Sequence, residues 1–158
     1  MLATKNCKLV SLDATHDALI HALYTNDKVR AYLGGTRTKS QIQVIYEEFL
    51  TMPYYWAVYE KQTNTACGLI CLDQHHDGEY YELSYQFLPE WWGKGYAKQC
   101  ALAVLHYAFE QLKVDKIIAE TQCANRASCR LLESIGMTID KQVERFGAQQ
   151  YIYSKTKL

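Results

Sequence analysis

Residues 80–122 read YYELSYQFLPEWWGKGYAKQCALAVLHYAFEQLKVDKIIAETQ, and this stretch decides the fold. The tyrosine-rich run at 80–88 predicts a strand, and KIIAETQ at 116–122 predicts another. Between them, apolar residues recur with a helical period from Gly95 to Leu112. A strand, a helix and a second strand in this order form a right-handed crossover, which makes the two strands parallel.

Upstream of the crossover, the sequence predicts three more strands. CKLVSL at 7–12 alternates like a strand, and YYWAVYE at 54–60 and CGLICLD at 67–73 flank a turn at QTNTA. The last two strands and the run at 80–88 are expected to form an antiparallel meander.

Two helices are expected in the same upstream region. One lies near 14–24 with Asp13 or Thr15 as its N-cap, and the other starts near Thr38 or Ser40 and ends before Pro53.

Downstream of the crossover, Asn125 predicts the N-cap of another helix, and Gly136 takes its C′ position. Strands near 137–144 and 149–156 then form a hairpin around Phe146 and Gly147. The fold class is therefore α/β, with an α+β mixed sheet of about seven strands and four helices. The sheet is mostly antiparallel with one central parallel pair, and residues 1–158 are expected to form a single domain.

The composition narrows the range of functions. Lys+Arg and Asp+Glu each number 17, so the formal net charge is zero, which argues against a general nucleic-acid or membrane-surface binder. The six cysteines form no C-x-x-C pair and no zinc-ligand spacing. No signal-like core and no apolar run long enough for a membrane span is present. We expect a cytoplasmic protein with reduced, buried thiols and no bound metal.

Two glycines at the start of the central helix, in G-K-G-Y-A at 93–97, suggest an anion site. The first amides of a helix lack internal partners and carry the positive end of the helix dipole. Without a Cβ at Gly93 and Gly95, a phosphate can reach those amides. The alternative is a plain glycine-rich turn. The stretch is not a Walker loop, because no G-K-[ST] follows four intervening residues. It is not a complete dinucleotide fingerprint either, because Lys98 stands where the third small residue belongs.

Residues 81–137 resemble the acetyl-CoA-binding core of the GNAT N-acetyltransferases, and in particular the branch of ribosomal-protein-alanine N-acetyltransferases. W-G-K-G-Y-A at 92–97 is similar to the family's glycine loop, although Glu90 stands where the family favours glutamine or arginine. A downstream N-x-x-S pattern, followed by a leucine pair, a glutamate and a glycine, matches Asn125, Ser128, Leu131, Leu132, Glu133 and Gly136. The resemblance implies the GNAT acyl-CoA N-acyltransferase fold.

The resemblance also implies which residues hold acetyl-CoA. The pyrophosphate is expected on the amides of Gly93, Lys94, Gly95, Tyr96 and Ala97. The pantetheine arm is expected beside the strand residues Tyr85, Phe87 and Leu88. Asn125 and Ser128 are expected to contact the cofactor, although Asn125 is also an ideal N-cap, Ser128 also suits a first helical turn, and Lys94 also suits solvent. Trp91 and Trp92 are expected to pack.

The implied reaction is direct attack of a primary amine on the thioester within a ternary complex. The acceptor is a protein N-terminus or a small-molecule amine, bound by residues 24–52 and the terminal hairpin. Glu82 is the candidate base, although it also suits a solvent-facing or arginine-paired strand carboxylate. Ser128 or a tyrosine such as Tyr85 or Tyr96 is the candidate acid. A bulge is expected to free the Tyr85 amide for the thioester oxygen.

Two histidines lie outside this scheme, and two alternative functions remain. His75 and His76 are expected to be solvated turn residues. A non-catalytic acyl-CoA-binding regulatory module would keep the glycine loop without turnover. A structural domain with a glycine-rich turn would bind no coenzyme A.

Overall fold

The computed structural model describes residues 1–75 and 78–157. In this part of the chain, eight strands form one sheet, and five α-helices and a short 3₁₀ turn accompany it. The strands are β1 (Leu2–Ala3), β2 (Cys7–Ser11), β3 (Tyr55–Glu60), β4 (Thr65–Gln74), β5 (Tyr81–Phe87), β6 (Lys116–Gln122), β7 (Thr138–Arg145) and β8 (Ala148–Thr156). The helices are α1 (Asp17–Tyr24), α2 (Asp27–Arg30), α3 (Lys39–Phe49), α4 (Tyr96–Glu110) and α5 (Arg126–Ser134), and the 3₁₀ turn spans Pro89–Trp91.

The strand order is β1-β2-β3-β4-β5-β6-β8-β7. Neighbouring strands are antiparallel except β5 and β6, which are parallel and are joined by α4. The predicted mixed sheet with one central parallel pair is therefore confirmed. The first and last parts of the sheet meet at this parallel pair.

The helices cover the two faces of the sheet and bury two hydrophobic clusters. α4 and α5 pack on one face over a cluster that includes Leu83, Phe87, Ile117, Ala119 and Tyr153. The other cluster joins α1–α3 to the opposite face of β3 and β4. Because alternate strand residues point to opposite faces, Glu82 and Gln86 lie on the α1–α3 face of β5.

Local sequence explains most helix boundaries. At the start of α3, Thr38 and Gln41 form a capping box, which selects Thr38 over Ser40 of the two predicted starts. At the start of α5, Asn125 Oδ1 accepts from the amide of Ser128 at 3.3 Å. The helix predicted near 14–24 is present as α1, but its predicted N-cap was wrong, because His16 occupies that position without a side-chain cap. Asp13 Oδ1 instead accepts from the amide of Thr15.

Three short elements were not expected. β1 has two residues, α2 has four and the 3₁₀ turn has three, so none is long enough to show a hydrophobic period. All six cysteines are free thiols, and five of them are buried. Within residues 1–75 and 78–157, every helix falls short of the length and apolar character that crossing a bilayer requires.

Candidate active site

The glycine loop leads directly into α4. Gly93 and Gly95 have φ values of +75° and +79°, which favour glycine, and a Cβ built on either residue would meet no atom within 4 Å. The first hydrogen bond of the helix runs from the amide of Gln99 to the carbonyl of Gly95 at 3.1 Å. Within the described part of the chain, the amides of residues 93–97 donate to no protein acceptor. These amides and the helix dipole form a site suited to an anion.

β5 and β6 stop pairing partway along their length, and the space between their unpaired parts is called the slot. The two strands pair only at Tyr81 with Ile117 and at Glu82 with Ile118 among the described residues. The amide of Leu88 donates to the carbonyl of Cys67 on β4. Because successive residues of a strand bond to opposite neighbours, the backbone groups of Tyr85 and Phe87 face the slot instead.

The predicted bulge is absent from the pairing of β4 with β5. Their register runs without a shift from Gly68 opposite Phe87 to Gln74 opposite Tyr81. The amide of Tyr85 faces the slot because β6 stops pairing with β5, so no extra residue is needed. Trp92 Nε1 donates to the carbonyl of Phe87 at 2.7 Å, which ties the exposed Trp92 to the end of the slot.

Tyr85 and Ser128 meet on the α4–α5 side of the slot. The Tyr85 hydroxyl lies 2.9 Å from Ser128 Oγ. Burial raises the pKa of the Tyr85 phenol to about 12, so it stays protonated at neutral pH. Asn125 acts as the helix cap, and it uses the main-chain amide of Ser128 rather than its hydroxyl. The Ser128 hydroxyl is therefore available to bond with Tyr85.

Glu82 lies at the closed end of the slot and is partly buried. Its Oε2 accepts from the amide of Glu120 at 3.3 Å. Burial, the largest cause, raises the pKa of the Glu82 carboxyl to about 7, and the charges of Glu120 and Asp73 also raise this pKa, whereas His75 lowers it. Near neutral pH, Glu82 is therefore able to accept a proton and to release it.

His75 and Glu120 are site residues that the sequence did not reveal. The prediction of a solvated His75 was wrong, because this residue is 1% exposed and its Nε2 lies 2.8 Å from Glu120 Oε1. His76 lies outside the described residues. One feature of the sequence could have indicated Glu120, because it is a charged residue within an otherwise largely buried strand. Its partners, which also include Arg145, are far away in the sequence.

The chain between α2 and α3 passes over the slot on the α1–α3 face. The buried Arg30 donates to Gln86 Oε1 at 3.1 Å and to the carbonyl of Gly35 at 3.0 Å. Gln122 Nε2 donates to the carbonyl of Tyr32 at 3.1 Å. These bonds attach residues 32–35 to both β5 and β6, within the segment predicted to bind the acceptor.

The remaining predicted site residues lie around the same slot. Lys94 is exposed, Tyr96 and Ala97 are half-buried at the start of α4, and Phe87 is buried against α4. Leu88 packs towards the α1–α3 cluster, its amide donates to the carbonyl of Cys67 on β4, and its carbonyl accepts from the amide of Trp91 at 3.0 Å. Its side chain is therefore the part of Leu88 that a ligand along β5 would meet. The described residues contain no group of three or more His, Cys, Asp or Glu side chains arranged to hold a metal ion.

Comparisons with known proteins identify the family and the fold. Residues 8–138 match the family described as an acetyltransferase (GNAT) domain. An uncharacterized N-acetyltransferase of Bacillus subtilis, YoaA, is 30% identical over 74% of this chain and 71% of its own length. A GNAT-family acetyltransferase from Bacillus anthracis superposes with a TM-score of 0.87 at 22% identity, covering 98% of this chain and 97% of that one. A spermidine N-acetyltransferase from Vibrio cholerae, solved with CoA and spermine, gives a TM-score of 0.82 at 20% identity, covering 96% and 95%.

The two superpositions establish the likeness of fold, and the family match covers the glycine loop, the slot and α5. The chain therefore belongs to the GNAT acetyltransferase family and is an acetyl-CoA-dependent N-acetyltransferase.

Proposed function

We propose that this protein transfers the acetyl group of acetyl-CoA to a primary amine by direct attack within a ternary complex. The observation that carries the proposal is the continuity of the site. The free amides at 93–97 lead into the slot edge of β5, and that edge ends at Glu82. We also propose that residues 1–158 form a single N-acetyltransferase domain that works in the cytoplasm, in keeping with its six free thiols.

The chain offers a distinct group of residues to each part of the cosubstrate. The pyrophosphate would rest on the main-chain amides of Gly93, Lys94, Gly95, Tyr96 and Ala97, with the exposed Lys94 side chain beside it. The pantetheine arm would lie along β5 at Phe87 and Leu88. Asn125 and Ser128, at the start of α5, would contact the cosubstrate on the side opposite β5. The open space in front of Gly93 and Gly95 fits a ligand that approaches the backbone closely.

Glu82 would take the proton that the amine must lose. A lysine-type amine with a pKa of about 10.4 costs roughly 5 kcal/mol to deprotonate at neutral pH, whereas an α-amine near 7.7–8 costs only about 1 kcal/mol. A carboxyl with a pKa of about 7 matches the second amine better.

Tyr85 would serve the thioester through two groups. Its main-chain amide faces the slot and would donate to the oxygen on which negative charge develops. Its hydroxyl, paired with Ser128 Oγ at 2.9 Å, would supply a proton to the departing thiolate, with Ser128 as the alternative donor. In the balanced step, the N–C bond forms and the C–S bond breaks. The ammonium would give one proton to Glu82 before the attack and a second as the C–S bond breaks, and this second proton would restore the Tyr85 hydroxyl that protonates the sulfur.

The acceptor class is a protein N-terminus or a small-molecule amine. The resemblance to the ribosomal-protein-alanine branch and the pKa of Glu82 support an α-amine. A small polyamine is the alternative, because the Vibrio cholerae neighbour is a spermidine N-acetyltransferase.

The test is to measure release of free thiol from acetyl-CoA with three acceptor classes: N-terminal peptides, free amino acids and polyamines. We expect turnover with an α-amine that rises with pH through about 7 and falls strongly in Glu82→Gln. CoA binding by calorimetry is measured in parallel. Tight binding of CoA without thiol release from any acceptor class would indicate a non-catalytic acyl-CoA-binding module instead of an enzyme.

A further inference from the structure

Glu120 closes the slot where β5 and β6 separate. Ile117 and Ala119 of β6 belong to the cluster under α4 and α5. Because alternate strand residues point to opposite faces, Glu120 points to the other face of the sheet, which is the face of Glu82. Its amide donates to Glu82 Oε2 at 3.3 Å. The Glu82 side chain thus takes the position that a main-chain carbonyl of β5 would occupy if the strands stayed paired.

The Glu120 carboxylate is fixed from two other strands. Its Oε1 lies 2.8 Å from Nε2 of His75, which follows β4, and its Oε2 lies 3.0 Å from Nε of Arg145, at the end of β7. The Glu120 side chain is 7% exposed and the Arg145 side chain is 28% exposed. Because both oxygens are engaged, Glu120 is poorly placed to bind a substrate ammonium itself, and its charge acts through its neighbour.

The charges facing Glu82 have opposing effects. On β4, Asp73 lies directly across from Glu82 in the register, and Cys71 faces the same side. Asp73 and Glu120 oppose ionisation of Glu82, whereas His75 favours it. Arg145 lies on the far side of Glu120 and offsets its charge. The protonation of Glu82 therefore depends on how far Glu120 is neutralised by its partners.

We infer that Glu120, held by Arg145 and His75, is a positioning residue for Glu82: its amide orients the base, and its charge controls how firmly the base holds a proton. The inference rests on the proposed function, since it takes Glu82 as the base.

Two charge changes with opposite expected effects test this role. Glu120→Gln keeps the main-chain amide and removes the negative charge, so the acidic limb of kcat/KM should move down by about one pH unit. Arg145→Gln leaves the Glu120 charge less compensated, so the limb should move up by roughly half a unit or more. Asp140→Asn is the matched control, because it removes a negative charge that pairs at 3.2 Å with Lys116 on the same side of the sheet. The control limb should not move.

A second readout is independent of turnover. Carbon NMR titration of the Glu82 carboxyl in the free protein should show the same two shifts in opposite directions, and thermal unfolding checks that each variant is folded. Shifts in the same direction, or none in either folded variant, would overturn the inference. A wild-type profile without an acidic limb, together with full activity of Glu82→Gln, would instead remove Glu82 as the base and contradict that part of the proposed function.

Discussion

Replacing Gly95 by alanine should weaken coenzyme A binding far more than it weakens the fold. At φ +79°, alanine adopts a left-handed conformation that costs about 1–2 kcal/mol. A Cβ at this position meets no protein atom within 4 Å, so no steric clash adds to that cost. For a chain of 158 residues, each 1 kcal/mol lowers the melting temperature by about 2–4 °C. Gly95→Ala should therefore fold and melt only a few degrees lower.

The effect on binding follows from the space in front of the amides. The new methyl group would enter the region through which an anion approaches the free amides at 93–97. Loss of one hydrogen bond to a charged group costs about 1.5–3 kcal/mol. The Kd for coenzyme A should then rise by about 10- to 100-fold, since each 1.4 kcal/mol is a factor of ten.

The assay is calorimetric titration with coenzyme A, paired with thermal unfolding of the same samples. Gly147→Ala is the matched control, because Gly147 has φ +74° and also has nothing within 4 Å of an added Cβ, but lies in the β7–β8 turn. The control should lose similar stability and keep the wild-type Kd. An unchanged Kd in Gly95→Ala, or an equal loss of affinity in the control, would refute the role given to the loop amides.

Three further predictions concern the remaining site residues. The Glu82 carboxyl keeps its proton up to about pH 7 in the fold but only up to about 4.5 when unfolded, so its contribution makes wild-type stability fall as pH rises through this window. Glu82→Gln should match wild type at pH 4 and be more stable by about 3 kcal/mol at pH 8 in urea unfolding. An equal gain at both pH values would count against the burial effect. In a thiol-release assay, Tyr85→Phe should lower kcat by about 10²-fold or more, and Ser128→Ala should lower it by less. A larger loss in Ser128→Ala than in Tyr85→Phe would make Ser128 the acid. Asn125→Ala should cost about 1 kcal/mol of stability because the helix cap is lost. Asn125→Asp should keep the cap and bind coenzyme A more weakly, because it adds a negative charge. Unchanged affinity in the aspartate variant would place Asn125 outside the cofactor site.

Local patterns predicted the elements that are long and regular. KIIAETQ was expected to form a strand at 116–122, and β6 has those bounds. A helix start was expected near Thr38 or Ser40, and Thr38 is the N-cap of α3. Asn125 was expected as an N-cap, and its side chain accepts from the amide of Ser128. These features depend on residues close together in the sequence, so a window of a few residues contains the necessary information.

The predictions that were wrong concern features that depend on residues far apart in the sequence. His75 and Glu120 are 45 residues apart, and only the sheet order brings them to 2.8 Å. The flanking sequence of His75 is polar and indicates a turn, so nothing local signals its burial. A bulge was expected to free the amide of Tyr85, but β4 and β5 pair without a register shift, and this amide faces β6 beyond the point where pairing stops. A separation of two strands depends on where β6 stops pairing, which the sequence of β5 alone does not contain.

The short contact between β5 and β6 has a consequence for the mechanics of the molecule. β4 shares seven residue pairs with β5, and β6 shares seven with β8, whereas among the described residues this central seam has two. Cooperative unfolding of the two halves of the sheet, β1–β5 and β6–β8, then depends on α4 and on any ligand that bridges β5 and β6. Amide hydrogen exchange at Tyr85 and Phe87 should slow when coenzyme A fills the gap, and the two halves should unfold more nearly as one unit.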